Sequence, residues 1–287
     1  MAKGRELKGR IKSVENTRKI TRTMEMVATS KMKRAQDRVV AARPYANSLS
    51  EVIANLYTPD LAERFPLLRQ PTSTKKAAVI VLTSNRGLAG AFNANLLKEA
   101  RNLLRRLKDE NVEAELHVIG KKGIGYFRYV GREVASSRID ITDRPTADNA
   151  AEIVDQLIVR FASGEIDAVH VVYAKFNSAL STPPYTQTIL PVTPPERKGP
   201  QPDYILLPSA EAILTQLLPS YVRNSVYRAL VETAAGEQSS RRTAMKNATD
   251  NAGEMLNTLR RTFNRARQAQ ITQEIAEIVG GAAALQG

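Results

Sequence analysis

Apolar and small residues recur at alternating steps of four and three positions along the first 57 residues of the chain. The positions in this stripe are Leu7, Ile11, Val14, Ala28, Met32, Ala35, Val39, Ala42, Ala46, Leu49, Ile53 and Leu56. A helix that buries one narrow face against a second helix has this spacing. Pro44 lies inside the pattern, and because the spacing continues beyond it we expect a kink or local irregularity there, without an end of the helix.

Three polar or charged residues interrupt this stripe: Arg18, Thr21 and Glu25. Apolar residues displaced by about one position stand beside them, at Ile20, Met24 and Val27. We therefore expect the buried face to drift around the helix in this region.

A second stripe with the same alternation follows Pro219, the last proline of the chain. The positions that keep the alternation are Tyr227, Val231, Ala234, Gln238, Arg241, Met245, Ala248, Ala252, Met255 and Leu259, and they are followed by Phe263, Ala266 and the triplet Ile271, Ile275 and Ile278. Most residues before Met255 are small or polar. About sixty helical residues span about 90 Å, more than a compact domain needs. We therefore expect the two terminal helices to pair as an antiparallel coiled coil that forms a rod.

The segment between the two stripes alternates predicted strands with amphipathic helices. Strands are predicted at 77–82, in AELHVIG and in DAVHVVYAKF, and a proline-rich stretch near TPPYTQTILPV predicts an edge strand. This alternation predicts an α/β fold with a small, mostly parallel, Rossmann-like sheet inserted between the terminal helices. The predicted boundaries are 1–57 and 208–285 for the coiled-coil helices and 75–195 for the central domain.

The charge of the chain is strongly positive and unevenly distributed. The formal net charge is +13 with a pI of about 10.0, and residues 3–43 alone hold thirteen Lys and Arg against four Asp and Glu. This excess indicates an acidic partner, although a simple solvated face has the same composition. The absence of Cys excludes disulfides and thiol catalysis, and two isolated histidines give no expectation of a metal site. Without an apolar run of membrane-spanning length, we expect a soluble cytoplasmic protein.

Three stretches of the chain resemble one known family. They are KITRTMEMVATSKMKRAQ near the start, SNRGLAGAFNANL after the first strand, and MKNATDNAG with RQAQITQEIAEIVGGAAA near the end. Together, and in this order, they are similar to the gamma subunit of F-type ATP synthases, of the bacterial type without the redox-regulatory insert. The resemblance covers essentially the whole chain.

The resemblance implies a rotating central shaft that has no catalytic site and no cofactor. The coiled coil would turn inside a ring of alternating alpha and beta subunits, and the sheet domain would contact the epsilon subunit and the membrane c-ring. Rotation driven by protons would then change nucleotide affinities in the ring. The chain would be peripheral on the cytoplasmic face of the bacterial plasma membrane, held there only through the complex, with no nucleic-acid partner.

The resemblance also implies contact residues. Those expected to contact the beta subunits are Met24, Lys31, Lys33, Arg34, Arg267, Gln268, Thr272 and Glu274. Those expected at the c-ring or epsilon subunit are Tyr204 and Glu211. A terminal apolar bearing would include Ile275, Ile278, Val279 and Leu285.

Two other function classes stay open from the residues alone. A basic coiled-coil protein that binds nucleic acid would use the same Lys and Arg excess, but the basic helix has almost no aromatic residues for stacking. An α/β enzyme would bind a nucleotide at SNRGLAG, where Asn85 and Arg86 are the candidates; the stretch lacks a full dinucleotide fingerprint and a phosphate-binding lysine, which favours a tight turn. We expect His117 and His170, each in a predicted strand, to be packed or edge residues.

Overall fold

The computed structural model describes residues 2–58, 64–71, 73–193 and 209–284. The chain forms two compact units. We call Met1–Val27 with Arg242–Gly287 the helical unit, and Ala28–Arg241 the sheet unit. Helix α1 (Ala2–Leu56) and helix α5 (Ala210–Ala284) each contribute residues to both.

The sheet unit contains one five-stranded sheet. Its strands are β1 (Lys76–Leu82), β2 (Glu113–Ile119), β3 (Ser136–Arg138), β4 (Ala168–Ala174) and β5 (Pro184–Leu190). They lie in the order β3-β2-β1-β4-β5, with the first four parallel and β5 antiparallel at the edge. The predicted mostly parallel sheet between two long terminal helices is confirmed. The three-residue strand β3 was not predicted.

Helices cover both faces of the sheet. Helices α2 (Phe92–Asp109) and α3 (Lys121–Tyr129) pack on one face, and α4 (Ala147–Ala162) packs on the other beside the sheet-unit parts of α1 and α5. Strand β1 therefore buries alternate residues in two cores, with Val79 facing α2 and Ile80 facing α4. This burial on both faces explains the uninterrupted apolar run of β1.

The long helices join the second core through their apolar stripes. Ile53 of α1 and Leu214, Leu218 and Val222 of α5 are at most 1% exposed. Helix α1 continues through Pro44, as the unbroken spacing predicted. Helix α5 begins nine residues before Pro219, because its buried stripe already starts at Leu214.

In the helical unit, the two helices pair in antiparallel directions. Glu15 lies 2.5 Å from Arg260, and the hydroxyl oxygens of Thr21 and Thr249 lie 2.8 Å apart. The antiparallel pairing expected for this unit is therefore present between residues of the first and last segments.

The expected drift of the stripe in α1 is wrong. Thr21 stays in the buried stripe at 9% exposure, whereas Ile20 and Val27 are 59% and 51% exposed. Arg18, the preceding stripe position, is exposed. Thr21 can be buried because its hydroxyl accepts a hydrogen bond from Thr249 Oγ1 and donates one to the Arg18 carbonyl, and a buried polar group that is hydrogen-bonded costs little.

In α5 the expected stripe shifts by one residue at Met255. Met255 is 54% exposed, while its neighbour Leu256 is 2% exposed. From Arg267 to Ala282 nearly every residue is exposed, including Ile271 and Ile278. The apolar residues of this last stretch are therefore not buried by the chain itself.

The two histidines lie on sheet strands, as expected. His117 Nδ1 is 2.6 Å from Ser136 Oγ, and His170 Nδ1 is 3.0 Å from Thr188 Oγ1. Burial lowers the pKa of both imidazoles, and for His170 the nearby positive charge of Arg106 helps to lower the pKa to about 4. Both rings are therefore neutral packing residues at neutral pH.

We predict that His170 makes the sheet unit sensitive to acid. Its pKa is lower in the folded than in the unfolded chain, so the unfolded state takes up a proton first as the pH falls from about 6.5 to about 4. Stability is complete above that window and is lost within it, by about 2 kcal/mol between pH 7 and pH 5. Urea unfolding at both pH values should show a smaller loss for His170→Gln than for the wild type. Equal losses would contradict this role.

Candidate functional site

In an open parallel sheet, ligands bind at the carboxyl ends of the strands where the strand order reverses. Here that point lies between β1 and β4, and SNRGLAG forms the turn after β1. Leu88 and Gly90 adopt positive φ values of 62° and 57° in this turn. The geometry is that of a tight turn. A ligand bound at this point would lie in the space beside the turn, at the carboxyl ends of β1 and β4.

Helix α5 occupies this space. The backbone N–H of Phe176 donates to Glu232 Oε2 at 3.0 Å, and the N–H of Ala174 donates to Thr233 Oγ1 at 3.4 Å. These backbone groups lie at the end of β4 and just after it, and would otherwise be open to a ligand.

Two further side chains of α5 bind carbonyl groups at the same edge. The Ser239 hydroxyl donates to the carbonyl of Ala179, and Arg241 Nη2 donates to the carbonyl of Gly87 at 3.2 Å. We call Glu232, Thr233, Ser239 and Arg241 the polar clamp. All four are less than 9% exposed, although none is apolar.

Gly236 allows α5 to approach the sheet this closely. A Cβ at this position would lie 3.1 Å from the Cβ of Ala174 and 3.4 Å from that of Thr182. The contact with Ala174 would be tighter than an ordinary van der Waals contact, so glycine at this position lets α5 approach the strand ends most closely.

The turn after β1 is also held by its own polar groups. Ser84 N donates to Asn93 Oδ1 at 3.0 Å, and Asn85 Nδ2 donates to the carbonyls of Ile139 and Ile141, both at 2.9 Å. Asn85 Oδ1 accepts from Lys121 N at 3.0 Å. These bonds make Asn85 a structural residue, which removes one of the two candidates for a nucleotide site.

Helix α1 contacts the same edge of the sheet. Lys31 Nζ lies 2.8 Å from Asp143 Oδ2, and Arg38 Nη1 donates to the Asp143 carbonyl at 3.2 Å. Burial acts to raise the pKa of Asp143, but the hydrogen bond and charge of Lys31 outweigh it and the pKa is lowered. Burial raises the pKa of Glu237 even though Arg241 Nη2 lies 2.6 Å from its carboxylate.

The expected contact residues of α1 have different surroundings. Met24 is half-buried in the helical unit. In the sheet unit Lys31 is ion-paired with Asp143. Lys33 is exposed and lies 3.0 Å from Asp37. Arg34 is exposed, and among the described residues its Nη2 lies 3.5 Å from Ser30 Oγ.

The expected contact residues of α5 lie together on an exposed stretch of helix. Those on this stretch are Arg267, Gln268, Thr272, Glu274, Ile275, Ile278 and Val279. Their described hydrogen bonds are local, such as Thr272 Oγ1 to the Gln268 carbonyl and Gln270 Nε2 to Glu274 Oε1. Ile275, Ile278 and Val279 are 57%, 71% and 62% exposed. The stretch is free to contact a partner.

Three expected residues lie at or beyond the limits of the description. Tyr204 and Leu285 lie outside the described residues. Glu211 is exposed at the start of α5, where its carboxylate lies 2.6 Å from Arg64 Nη1.

The helical unit carries a large positive charge. Its two segments hold fourteen Lys and Arg against seven Asp and Glu, a net charge of +7. Across the described parts of the chain, no helix has the length and apolar character needed to cross a bilayer. The same residues contain no group of three or more His, Asp or Glu side chains placed to hold a metal ion.

The sequence did not point to the polar clamp. Glu232, Thr233 and Ser239 lie off the predicted stripe, and their partners are backbone atoms that have no residue-type signal. Polar residues at the stripe positions Gln238 and Arg241 were the available indication that this part of α5 contacts polar groups.

Comparison with known proteins gives concordant matches along the chain. Residues 3–285 match the family model described as ATP synthase. The ATP synthase gamma chain of Gemmatimonas aurantiaca is 66% identical over 290 residues, which cover 100% of both chains.

Solved structures give the same result. A chain in the central stalk and c-ring of the Tetrahymena thermophila mitochondrial ATP synthase is 27% identical, covers 80% of this chain and 99% of its own, and has a TM-score of 0.62. A chain of the Euglena gracilis mitochondrial ATP synthase covers 99% and 95% with a TM-score of 0.68; at 19% identity this match shows the fold alone. The chain belongs to the ATP synthase gamma chain family.

Proposed function

We propose that the chain is the central-stalk rotor subunit of an F-type ATP synthase. It couples proton-driven rotation of the c-ring to changes of nucleotide affinity in the ring of alpha and beta subunits. The observation that carries this proposal is the 66% identity to a gamma chain over the whole of both sequences. The epsilon subunit and the c-ring are the proposed partners of the sheet unit.

The surface of the helical unit suits a shaft that turns inside a ring. Bulky side chains fitted to individual sockets would have to leave them at every step, whereas small and polar residues do not. The positive charge faces acidic groups of the beta subunits, and because one exposed ion pair contributes only about 0–1 kcal/mol, the charge guides the shaft without locking it.

Most of the contact residues that the family resemblance implies are exposed. Lys33 and Arg34 of α1, with Arg267, Gln268, Thr272 and Glu274 of α5, are exposed and are proposed to meet the beta subunits. Met24, half-buried in the helical unit, is also proposed to contact the beta subunits. Lys31, which is ion-paired with Asp143 in the sheet unit, is proposed to contact them as well.

The terminal apolar residues and the start of α5 have separate proposed roles. Ile275, Ile278 and Val279, with Leu285 beyond the described residues, are proposed to form the bearing. Glu211, with Tyr204 also beyond the described residues, is proposed to contact the c-ring or the epsilon subunit.

The chain is proposed to be non-catalytic and to lie on the cytoplasmic face of the bacterial plasma membrane. Filling of the strand ends by the polar clamp supports the first statement, because the edge where an α/β enzyme would bind its ligand is taken by the chain's own helix. A nucleotide-binding enzyme is therefore the less favoured function.

An affinity-purification experiment tests the proposal. The tagged chain, expressed in its own cells, should recover one copy of itself for three alpha and three beta subunits, as measured by native mass spectrometry. A matched purification with the tag on an unrelated basic protein controls for capture by charge. Recovery of the chain alone, or ATP turnover by the rigorously purified chain, would contradict the rotor function.

A further inference from the structure

The polar clamp joins helix α5 to two separate segments at the carboxyl edge of the sheet. Glu232 and Ser239 bind the segment between β4 and β5, and Arg241 binds the turn after β1. Glu232 and Ser239 are seven residues apart, so they lie on one face of the helix about two turns, or about 10 Å, apart. Two anchor points on one face oppose both sliding of the helix and rotation about its axis.

The chemistry of these contacts differs from that of the rest of the interface. Nearer its start, α5 packs on the sheet through Leu218 and Val222, whose apolar contacts have no preferred direction. Hydrogen bonds weaken steeply when their angle changes. Two of the backbone groups that the clamp binds, Ala174 N and Phe176 N, lie at the end of buried strand β4 and just after it. The other two, the carbonyls of Gly87 and Ala179, lie in the turns that follow β1 and β4. The clamp is therefore the part of the interface best able to resist twisting.

We propose that the polar clamp sets the torsional stiffness between helix α5 and the sheet, and that it remains closed while the subunit rotates. This inference rests on the proposed rotor function, because only a subunit that transmits torque needs a stiff joint at this place. The apolar cluster of Ala35, Val39, Phe176, Val231 and Ala235 packs beside the clamp and shields it from water.

The chain offers closely matched variants. Glu232→Ala with Ser239→Ala removes the acceptor of Phe176 N and the donor to Ala179. Glu232→Gln with Ser240→Ala is the control, because the side-chain carbonyl of a glutamine can still accept the bond from Phe176 N, and Ser240 is the neighbouring serine outside the clamp.

A disulfide can replace the clamp. A Cβ at position 236 would lie 3.4 Å from the Thr182 Cβ, close to the about 3.5–4.5 Å found in disulfides. Gly236→Cys with Thr182→Cys therefore forms a lock, and since the chain has no Cys of its own, this pair supplies its only thiols. Gly236→Cys alone controls for the close approach to Ala174.

The experiment measures angular fluctuations in the assembled complex. The alpha and beta ring is fixed to a surface, and a nanorod is attached without thiol chemistry at residue 129, where Tyr129 is 88% exposed. During a catalytic dwell, the clamp-deficient chain should show about twofold larger angular variance than the control, with an ATP hydrolysis rate within about twofold of it. When the lock is added to the clamp-deficient chain, the angular variance should return to that of the control after the disulfide is oxidised, and should stay high while the two cysteines are reduced.

The outcomes separate this inference from the proposed function. A wild-type chain that gives no rotation overturns the rotor function and the inference with it. Rotation with equal angular variances in the clamp-deficient and control chains overturns only the proposal that the clamp sets the torsional stiffness. If the clamp-deficient chain does not assemble, the disulfide lock is tested in a chain that is otherwise native. The proposal that the clamp stays closed then requires rotation to continue after the lock is oxidised. A halt on oxidation that reduction reverses would show that the clamp has to open.

Discussion

Replacing Gly120 by alanine should prevent stable folding of the sheet unit. Gly120 follows β2 with φ +101°, and a Cβ there would lie 2.2 Å from the carbonyl oxygen of Thr83 and 2.6 Å from its carbonyl carbon. Thr83 N donates to the Ile119 carbonyl at 2.8 Å, so its backbone is fixed beside the central strand and cannot retreat. We expect a loss of about 4 kcal/mol or more, which is a large part of the stability of a typical domain.

Two nearby glycines provide a graded comparison. A Cβ at Gly123 would meet side-chain atoms, Thr83 Oγ1 at 2.7 Å and Val118 Cγ1 at 2.8 Å, which can partly adjust, so alanine should cost about 1–3 kcal/mol. Gly125 lies in the same helix, α3, with nothing within 4 Å, and alanine there should stabilise by about 0.5–1 kcal/mol. Urea unfolding followed by circular dichroism measures all three. Equal stability of the Gly120→Ala and Gly125→Ala chains would contradict the steric argument.

The parts of the fold that were predictable from sequence share one property, which is regular burial of apolar residues. Strand β1 has an unbroken apolar run because both of its faces are covered, and the stripe of α1 from Ala28 to Leu56 repeats because one face of the helix is buried. Strand β3, with the sequence Ser-Ser-Arg, has no such signal, since it lies at a sheet edge and pairs over three residues only.

Errors arose where polar residues are buried. Thr21 interrupts the apolar pattern because it carries a hydroxyl, and its hydrogen-bond partner Thr249 is more than two hundred residues away in the chain. Sequence alone does not show such a pair. Adjacent Met255 and Leu256 were equivalent as apolar residues, and which of them is buried depends on the rotation of α5 in the helical unit.

The candidate site also has a part that the sequence indicates and a part that it does not. A family resemblance implies the contact residues, and the structure adds their surroundings, such as the ion pair that Lys31 forms with Asp143. The polar clamp depends on where the ends of β1 and β4 meet α5. That meeting point is a property of the topology and has no local sequence pattern.

Removal of residues 271–287 should leave the stability of the chain unchanged but weaken its action in the complex. Residues 271–282 are all exposed, and the described bonds that cross the cut, between Gln270 and Glu274 and between Thr272 and Gln268, are local to the helix. The truncated chain should therefore unfold in urea at a midpoint indistinguishable from that of the full chain.

The same truncation should strongly reduce torque. It removes the proposed bearing residues Ile275, Ile278 and Val279, whose 57–71% exposure leaves apolar surface to be covered by a partner. Without them the end of the shaft is no longer centred, and we expect torque to fall about threefold or more, measured from the rotation rate of a viscously loaded rod on the sheet unit.

Point variants test whether the loss of torque comes from the bearing residues or from other residues of the same exposed stretch. Ile275→Ala with Ile278→Ala should reproduce much of the torque loss, because it removes most of the apolar surface that the bearing presents. Gln273→Ala with Glu277→Ala removes only the local 2.9 Å bond between these two side chains on the same exposed stretch, and should leave torque unchanged. Full torque from the truncated chain would refute the bearing, whereas unfolding of the sheet on truncation would show that residues 271–287 stabilise the chain itself.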